Sequence, residues 1–258
     1  MKQVYLIHEN HPRLLLFFAG WAADETPFKQ YRPKDMDYMI CYDYRTLDFD
    51  ASVLERYEGV NVVAWSMGVW AAKIVLSFVP NDNIFGIVFN GSTLPIHDFE
   101  GIPLKTFQAT LDNLTPASLQ KFMRRMCKDS GAYKDFMKIT PRRDFDEIKE
   151  ELKCIAEQHA EQAEMIIDEN GDYDISEEAY SRYYDTYTFH YDYAFIGTGD
   201  RIFPPENLKC NLDCVEVDRC VTDCAHYDEP MFRFLLQDLW SMPVDVFLRY
   251  IQPLCMGW

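Results

Sequence analysis

One serine lies where an apolar strand pattern gives way to a helical pattern. Residues 60–65 form a strongly apolar run, Ser66 follows it, and helical periodicity begins at Met67. A tight turn between a strand and a helix raises a serine hydroxyl above the sheet and aims the next backbone N–H at an anion forming beside it. We therefore predict that Ser66 is a nucleophile; the alternative is that it only caps the helix that follows.

A serine nucleophile needs a general base and an acid that orients the base. A Gly-rich turn after the apolar run 193–197 presents Asp200, and His226 follows the next predicted strand and precedes the last predicted helix. Both residues come after the carboxyl ends of strands, where sites in open α/β sheets form. The chain order Ser66, Asp200, His226 predicts a catalytic triad, although taken alone Asp200 fits a turn residue and His226 a helix-start residue.

Other titratable residues fit these roles less well. His97 lies in a loop after a strand and is the second candidate for the base, whereas His159 is interpreted as part of a solvated helix face. His190 lies near the end of a long helical segment and could line a pocket. Asp43 also ends a strand, but no Gly-rich turn presents it.

The oxygen of a carbonyl under attack needs two N–H donors. The backbone N–H of Met67 is the first candidate, because it directly follows the serine. The second is the N–H of Trp21, since Gly20 allows a close backbone approach after the apolar run 14–18. The alternative is that Gly20 only turns the chain and Trp21 packs in the core.

The elements that must position these residues follow from hydrophobic patterning. In the first hundred residues strand and helix patterns alternate, which predicts a mostly parallel sheet with helices on both faces. Strands are predicted at 4–7, 14–18, 38–42, 60–65 and 84–89, and helices at 51–57 and 67–78. A polar turn separates the first two strands, so they are interpreted as a hairpin.

Helical periodicity replaces this alternation between residues 103 and 187, a stretch too long to remain a structureless loop. Strand patterns return at 193–197 and 212–217, and an amphipathic helix is predicted at 229–240. We therefore predict one α/β domain, residues 1–102 and 188–258, that carries a helical cap, residues 103–187.

The composition is that of a globular protein with a strongly negative charge. The 258 residues include 25 Lys and Arg against 42 Asp and Glu, a formal net charge of −17. Such a chain is a poor ligand for nucleic acid and for anionic membranes. No apolar run approaches the roughly 18 residues needed to span a bilayer, and the first residues lack the apolar stretch of a signal peptide. We expect a cytoplasmic protein.

Four of the eight cysteines cluster, in two C-x3-C pairs: Cys210, Cys214, Cys220 and Cys224. This spacing leaves open a structural zinc site. The strand pattern between the pairs favours scattered thiols instead, which are reduced by default in an intracellular chain. We expect no metal or cofactor in the function.

The sequence around these candidate residues resembles that of α/β-hydrolases and, more narrowly, that of the BioG-type pimeloyl-ACP methyl ester esterases of biotin synthesis. The motifs that carry the resemblance are FFAGW at 17–21, YDY at 42–44, AWSMGVWAA at 64–72, NGS at 90–92, GI at 101–102, and GD at 199–200 with Pro204. Ala64 replaces the usual first glycine of the serine motif, and Ala19 stands where many relatives carry histidine. The resemblance implies an α/β-hydrolase fold and a serine carboxylesterase that removes the methyl ester from a pimeloyl group on acyl carrier protein.

Two other functions fit the same residues. One is a serine hydrolase for another ester or thioester of a small or carrier-bound acyl group, because the acyl pocket rather than the triad selects the substrate. The other is a non-catalytic binding protein with the same fold.

A basic stretch of the predicted cap suits an acidic carrier partner. Residues 121–143 contain eight basic and two acidic residues, a net charge of +6. Complementary charge guides docking, and the alternative is a solvated helix face that balances the acidic run 144–178. The candidate carrier-binding residues are Lys121, Arg124, Arg125, Lys128, Arg142 and Arg143.

Overall fold

The computed structural model describes residues 1–80, 83–167, 173–213, 217–243, 245–247 and 249. Its strands are β1 (Lys2–Ile7), β2 (Arg13–Phe18), β3 (Asp37–Tyr42), β4 (Gly59–Trp65), β5 (Ile84–Phe89), β6 (Ile166–Ile167), β7 (Tyr173–Asp174), β8 (Tyr193–Gly197) and β9 (Asp218–Thr222). Its α-helices are α1 (Met67–Leu76), α2 (Leu104–Asp112), α3 (Pro116–Met126), α4 (Ser130–Phe136), α5 (Phe145–Gln162), α6 (Glu177–Thr186), α7 (Pro205–Asp213) and α8 (Glu229–Arg233). Within these residues no helix is both long enough and apolar enough to cross a membrane.

A seven-stranded sheet forms the centre of the fold, in the order β1-β3-β2-β4-β5-β8-β9. Every neighbouring pair is parallel except β1 with β3. The strands predicted at 38–42, 60–65, 84–89 and 193–197 are confirmed. The helix predicted at 51–57 is a single 3₁₀ turn, Ala51–Leu54.

The predicted hairpin of the first two strands is wrong. Strand β1 pairs antiparallel with β3, with Lys2 opposite Tyr42, while β2 lies between β3 and β4 in parallel register. Five of the six residues of β2 are buried, whereas no residue of β1 is fully buried. A strand as buried as β2 needs partners on both sides, and the half-exposed β1 suits the edge of the sheet.

In its described residues, 212, 213 and 217, the strand predicted at 212–217 is wrong. Helix α7 extends to Asp213, and the strand β9 begins only at Asp218; residues 214–216 lie outside the described part of the chain. The helix begins with a proline at its first position, a favoured start. Its residues Leu208 and Asn211, three apart, are both buried. This helical spacing outweighs the short alternation that favoured a strand.

Helices α2 to α6 and the two-residue ribbon β6–β7 fill the stretch between β5 and β8. The division into an α/β core and a cap stays a prediction. The helix predicted at 229–240 is present as α8, continued by a π-helical turn (Phe234–Asp238) and a 3₁₀ turn (Leu239–Ser241).

Helix α1 lies between the sheet and helix α5, and all ten of its residues are buried. On the side of α5, the indole Nε1 of Trp70 donates to Oε1 of Gln162 at 2.9 Å. The Nζ of Lys73 donates to the carbonyl of Phe189 at 3.2 Å, and burial lowers the pKa of Lys73 to about 8. The helix that follows Ser66 is therefore buried along its whole length and held by hydrogen bonds from Trp70 and Lys73.

Candidate active site

Ser66 occupies the turn between β4 and α1 in a left-handed backbone conformation, with φ of 59°. Such a φ is rare for a residue other than glycine and is typical of strained functional turns. The close packing around it requires Gly68, because a Cβ there would lie 2.3 Å from the carbonyl oxygen of Phe18. The Ser66 side chain makes no capping hydrogen bond to α1. The hydroxyl is therefore not used as a helix cap.

Ser66, His226 and Asp200 are brought together in a chain of two hydrogen bonds. The Nε2 atom of His226 lies 3.1 Å from Oγ of Ser66, and its Nδ1 atom lies 2.8 Å from Oδ2 of Asp200. All three side chains are buried. When Nδ1–H donates to the carboxylate, the lone pair of Nε2 faces the serine hydroxyl. This arrangement can remove a proton from Ser66 as the serine attacks an electrophile.

Backbone groups fix the orientation of Asp200. Its second oxygen, Oδ1, accepts from the N–H groups of Ile202 at 2.7 Å and Phe203 at 3.0 Å. The ring of Phe203 stacks on the His226 imidazole with centroids 5.8 Å apart. The carboxylate therefore has one oxygen fixed by the turn and one left for the imidazole.

Asn90 and Trp65 hold the loop that carries His226. Asn90 accepts from the N–H of Gly197 at 2.7 Å and donates to the carbonyl of Ala225 at 2.8 Å, so it joins the acid-bearing strand to the histidine loop. The indole of Trp65 donates to the carbonyl of His226 at 2.9 Å. Patterning did not assign these supporting roles, because they depend on contacts more than 100 residues apart in the chain.

The loop after β2 lies directly against the serine. A Cβ at Gly20 would be 2.9 Å from Cβ and 3.2 Å from Oγ of Ser66. Trp21 and Met67, the predicted oxyanion donors, line the same small cavity as Ser66. Met67 is the first residue of α1, where backbone N–H groups have no partner within the helix. The side chain of Trp21 is buried against Phe122, with ring centroids 5.0 Å apart, so its core-packing role is real as well.

The cavity beside Ser66 is narrow and shares a wall with a wider groove. Its volume is about 30 Å³, which is the share of one water molecule in the liquid. The neighbouring groove, between α2 and α3, has a volume of about 520 Å³. Four residues line both spaces: Thr106, Thr110, Phe122 and Arg125. They form the wall between the two spaces.

Comparison with known proteins identifies the fold and the family. A bromoperoxidase from Bacillus anthracis (14% identity, TM-score 0.60, covering 96% of this chain and 95% of that one) and an esterase from Exiguobacterium antarcticum (12% identity, TM-score 0.58, covering 97% and 94%) share the α/β-hydrolase fold. The family model described as pimeloyl-ACP methyl esterase BioG matches residues 1–167. The chain belongs to the BioG family.

Two relatives support this assignment. The crystal structure of BioG from Haemophilus influenzae is 30% identical, with a TM-score of 0.73, and the match covers 90% of this chain and 97% of that one. A protein of Bacteroides fragilis named malonyl-[acyl-carrier protein] O-methyltransferase is 44% identical over 224 residues. That match covers 85% of this chain but 40% of the relative, so the BioG-family chain spans less than half the length of that protein.

Most of the predicted carrier-binding residues are exposed. Those on the surface are Lys121, Arg124, Arg125, Lys128 and Arg142. Lys121 and Arg125 line the groove between α2 and α3, and Lys128 pairs with Asp223 at 3.0 Å.

Arg143 does not belong to this surface. Its side chain is only 4% exposed, and it forms ion pairs with Asp43 at 3.0 Å and Glu151 at 2.6 Å. The carrier-binding prediction for Arg143 is corrected on this ground: its charge is already neutralised inside the protein and is not available to a partner.

Asp43, the competing acid, is also occupied. It pairs with Arg45 at 2.7 Å as well as with Arg143. Although burial alone would raise its pKa, the neighbouring cations lower the pKa of Asp43 to about 2. Asp43 is therefore the ion-pair partner of Arg45 and Arg143, whereas Asp200 is the carboxylate that contacts His226.

The interpretation of His159 as a solvated residue is wrong. The side chain is fully buried, neither ring nitrogen has a hydrogen-bond partner among the described residues, and burial lowers its pKa to about 3. Helix α5 also buries Ile148, Leu152 and Ile155, and His159 continues that face at helical spacing. His190 is exposed and lines neither the cavity beside Ser66 nor the groove next to it. His97 accepts from the N–H of Phe99 at 3.4 Å.

The four cysteines of the two C-x3-C pairs differ in exposure. Cys210 is exposed, Cys220 and Cys224 are buried, and Cys214 lies outside the described residues. Among the residues that the structure describes, no three His, Cys, Asp or Glu side chains are grouped so as to hold a metal ion.

Proposed function

We propose that this BioG-family chain is a serine carboxylesterase that hydrolyses the methyl ester of a pimeloyl group carried on acyl carrier protein. The observation that carries the proposal is the chain of hydrogen bonds from Asp200 through His226 to Ser66, with heavy-atom distances of 2.8 and 3.1 Å. The description of the matching family supports the substrate. The free carboxylate that the reaction produces serves biotin synthesis.

The reaction proceeds in two halves. Ser66 attacks the carbonyl carbon of the methyl ester while Nε2 of His226 takes the hydroxyl proton, and Asp200 stabilises the imidazolium. The backbone N–H groups of Trp21 and Met67 stabilise the oxyanion, each by about 3 kcal/mol. The tetrahedral intermediate collapses, methanol leaves with the proton from His226, and an acyl-enzyme remains.

Water completes the cycle by the same route. His226 takes a proton from the water as it attacks the acyl-enzyme, the second tetrahedral intermediate forms in the same oxyanion site, and Ser66 leaves with its proton restored. The products are methanol and a carrier-bound acid. Each step uses only side chains and backbone groups of this chain and water.

The exposed cations beside the groove suit an acidic carrier. Lys121 and Arg125 lie at the groove, and Arg124, Lys128 and Arg142 are further exposed cations of the same basic stretch of sequence. The Bacteroides relative is named for a reaction on an acyl group bound to carrier protein, which supports a carrier-bound substrate here. An acyl chain that enters from this groove must displace the wall formed by Thr106, Thr110, Phe122 and Arg125, because the cavity of about 30 Å³ beside the serine is too small for it.

The proposal is tested with purified protein and the methyl ester of pimeloyl-acyl carrier protein, by measuring methanol release. We expect turnover by the wild-type chain, none by Ser66→Ala, and normal turnover by Ser181→Ala, which changes an exposed serine on α6. Growth without biotin of a bacterial strain that lacks its own esterase should follow the same pattern. Absence of methanol release by the wild-type protein, or retention of release by Ser66→Ala, would reject the proposal.

A further inference from the structure

Glu151, a residue of helix α5, places a buried carboxylate against two loops of the α/β sheet. Its Oε1 accepts from the N–H of Tyr44 at 2.9 Å, and its Oε2 accepts from the N–H of Ala22 at 3.2 Å. Arg143 donates to Oε2 at 2.6 Å. Burial raises the pKa of Glu151, while Arg143 and the two N–H groups oppose that rise. A buried carboxylate is tolerated only with such partners.

The loop that Glu151 contacts has an unusual backbone. Ala22 has a φ of 63°, in the left-handed region that an alanine rarely adopts. A residue stays in such a conformation only where its surroundings impose it. The hydrogen bond from its N–H to Glu151 is one of the contacts that impose it here.

Helix α5 also contacts Trp21, the residue before Ala22. The indole Nε1 of Trp21 donates to the carbonyl of Ile148 at 2.9 Å. Ile148 precedes Glu151 by three positions, so the two groups lie one above the other on the same face of α5. One turn of this helix therefore holds Trp21 by its side chain and Ala22 by its backbone.

A small displacement of this loop would reach the serine. Gly20 is in contact with Ser66, since an added Cβ would lie 2.9 Å from the serine Cβ. The N–H of Trp21, between Gly20 and Ala22, is the proposed oxyanion donor. Stabilisation of an oxyanion depends on donors fixed in advance at the position where the charge develops.

We propose that Glu151, paired with Arg143, is a positioning residue that fixes residues 20–22 so that the backbone N–H of Trp21 faces the oxyanion. The inference rests on the proposed function. It gives the helical insertion a part in the chemistry: α5 completes the oxyanion site from outside the sheet, and Glu151 acts through Ala22 and Trp21 without touching the substrate.

The test compares Glu151→Gln with Glu150→Gln, which removes the same charge from an exposed position of the same helix. A glutamine at 151 turns an NH₂ group toward one of the two backbone donors, so one of those hydrogen bonds is lost. The substrate is p-nitrophenyl acetate, and the inhibitor is phenylboronic acid, whose tetrahedral adduct with serine places an oxygen in the oxyanion site.

We expect Glu151→Gln to lower kcat by about 10- to 100-fold, less than the loss of a whole donor, with KM changed by less than about twofold. The inhibition constant of the boronic acid should rise by a similar factor to the fall in kcat, and Glu150→Gln should match the wild type. A folded Glu151→Gln protein with wild-type kcat and boronic acid affinity would overturn the inference, even if its melting temperature were lower.

A second variant covers the case in which Glu151→Gln does not fold. Trp21→Phe keeps the aromatic ring and the backbone N–H but loses the hydrogen bond to Ile148. Trp21→Phe should raise the inhibition constant of the boronic acid by a larger factor than it changes KM. An unchanged inhibition constant would overturn the inference. A wild-type protein without esterase activity would instead reject the proposed function itself.

Discussion

The Nε2 atom of His226 lies 3.1 Å from Oγ of Ser66, although 160 positions separate the two residues in the chain. The two residues meet because β4 ends at the serine turn, while the loop after β9 returns His226 to the same edge of the sheet. Asp200, after β8, completes the set at 2.8 Å from Nδ1. The predictions below depend on this convergence.

Asp200→Asn should lower kcat by roughly 10³- to 10⁴-fold without unfolding the protein. The asparagine oxygen can still accept from the N–H groups of Ile202 and Phe203, which Asp200 Oδ1 accepts now. Its NH₂ group then faces Nδ1 of His226 and favours the tautomer with the proton on Nε2, which cannot accept the serine proton. Steady-state kinetics on a small ester, with circular dichroism as a folding check, measure this; near wild-type activity would contradict the assigned role.

Gly68→Ala should destabilise the protein by roughly 2–4 kcal/mol. The added Cβ would lie 2.3 Å from the carbonyl oxygen of Phe18, so either β2 or α1 must shift. Gly59→Ala is the matched control, because the nearest atom to its Cβ, Nε of Arg13, is 3.8 Å away. Urea denaturation measures both variants, and equal stability of the two would show that the turn is less tightly packed than we describe.

His159 should make the protein sensitive to acid. Its pKa is lowered by burial from the ordinary 6.5 to about 3, so between these values the unfolded chain binds a proton and the folded chain does not. Stability is therefore lost as the pH falls below 6.5, by about 2 kcal/mol at pH 5 from this residue.

The variant His159→Leu removes this proton and should flatten the loss of stability between pH 7 and pH 5. The exposed His190→Leu serves as its control. Urea denaturation at pH 7, 6 and 5 compares the free energies of unfolding of the two variants. The carboxylates of the protein contribute equally to both. If His159→Leu and His190→Leu lose the same stability on acidification, the buried imidazole is not the cause.

Charge reversal of the groove cations should act on the carrier and not on the chemistry. The double variant Lys121→Glu, Arg124→Glu should raise KM for the carrier-bound ester by about tenfold or more and leave kcat/KM for p-nitrophenyl acetate within about twofold. The double variant Lys149→Glu, Lys153→Glu, which reverses two exposed cations of α5, is the control for net charge. Equal losses on both substrates would remove the basis for the docking surface.

The elements that patterning predicted best are those whose signal is local. Strand β4 is an apolar run that ends at Ser66, and the turn and helix that follow need small residues at fixed positions, so one short segment predicts the nucleophile. Asp200 and His226 follow from the same logic at the ends of later strands.

Strand partners and burial depend on distant contacts, and there patterning fails. Nothing local distinguishes a hairpin of β1 and β2 from the observed pairing of β1 with β3. Glu151 and His159 are polar residues in an acidic helix, but both lie on the face that Ile148, Leu152 and Ile155 define. Their spacing from those apolar residues was the available signal of burial. Arg143 is misplaced for a related reason: its partner Asp43 comes from a distant segment, and its other partner, Glu151, is only eight positions away but is a buried residue that patterning did not identify.

The acyl-enzyme tests the central claim most directly. The protein is mixed with the methyl ester of pimeloyl-acyl carrier protein and quenched in acid within milliseconds. We expect Ser66 to be joined through an ester to the pimeloyl group that is still attached to the carrier. Intact-protein mass spectrometry should detect this conjugate of enzyme and carrier in the wild type and not in Ser66→Ala. A small methyl-pimeloyl adduct with release of the free carrier thiol would show attack on the thioester instead. A conjugate that persists in Ser66→Ala would contradict the account.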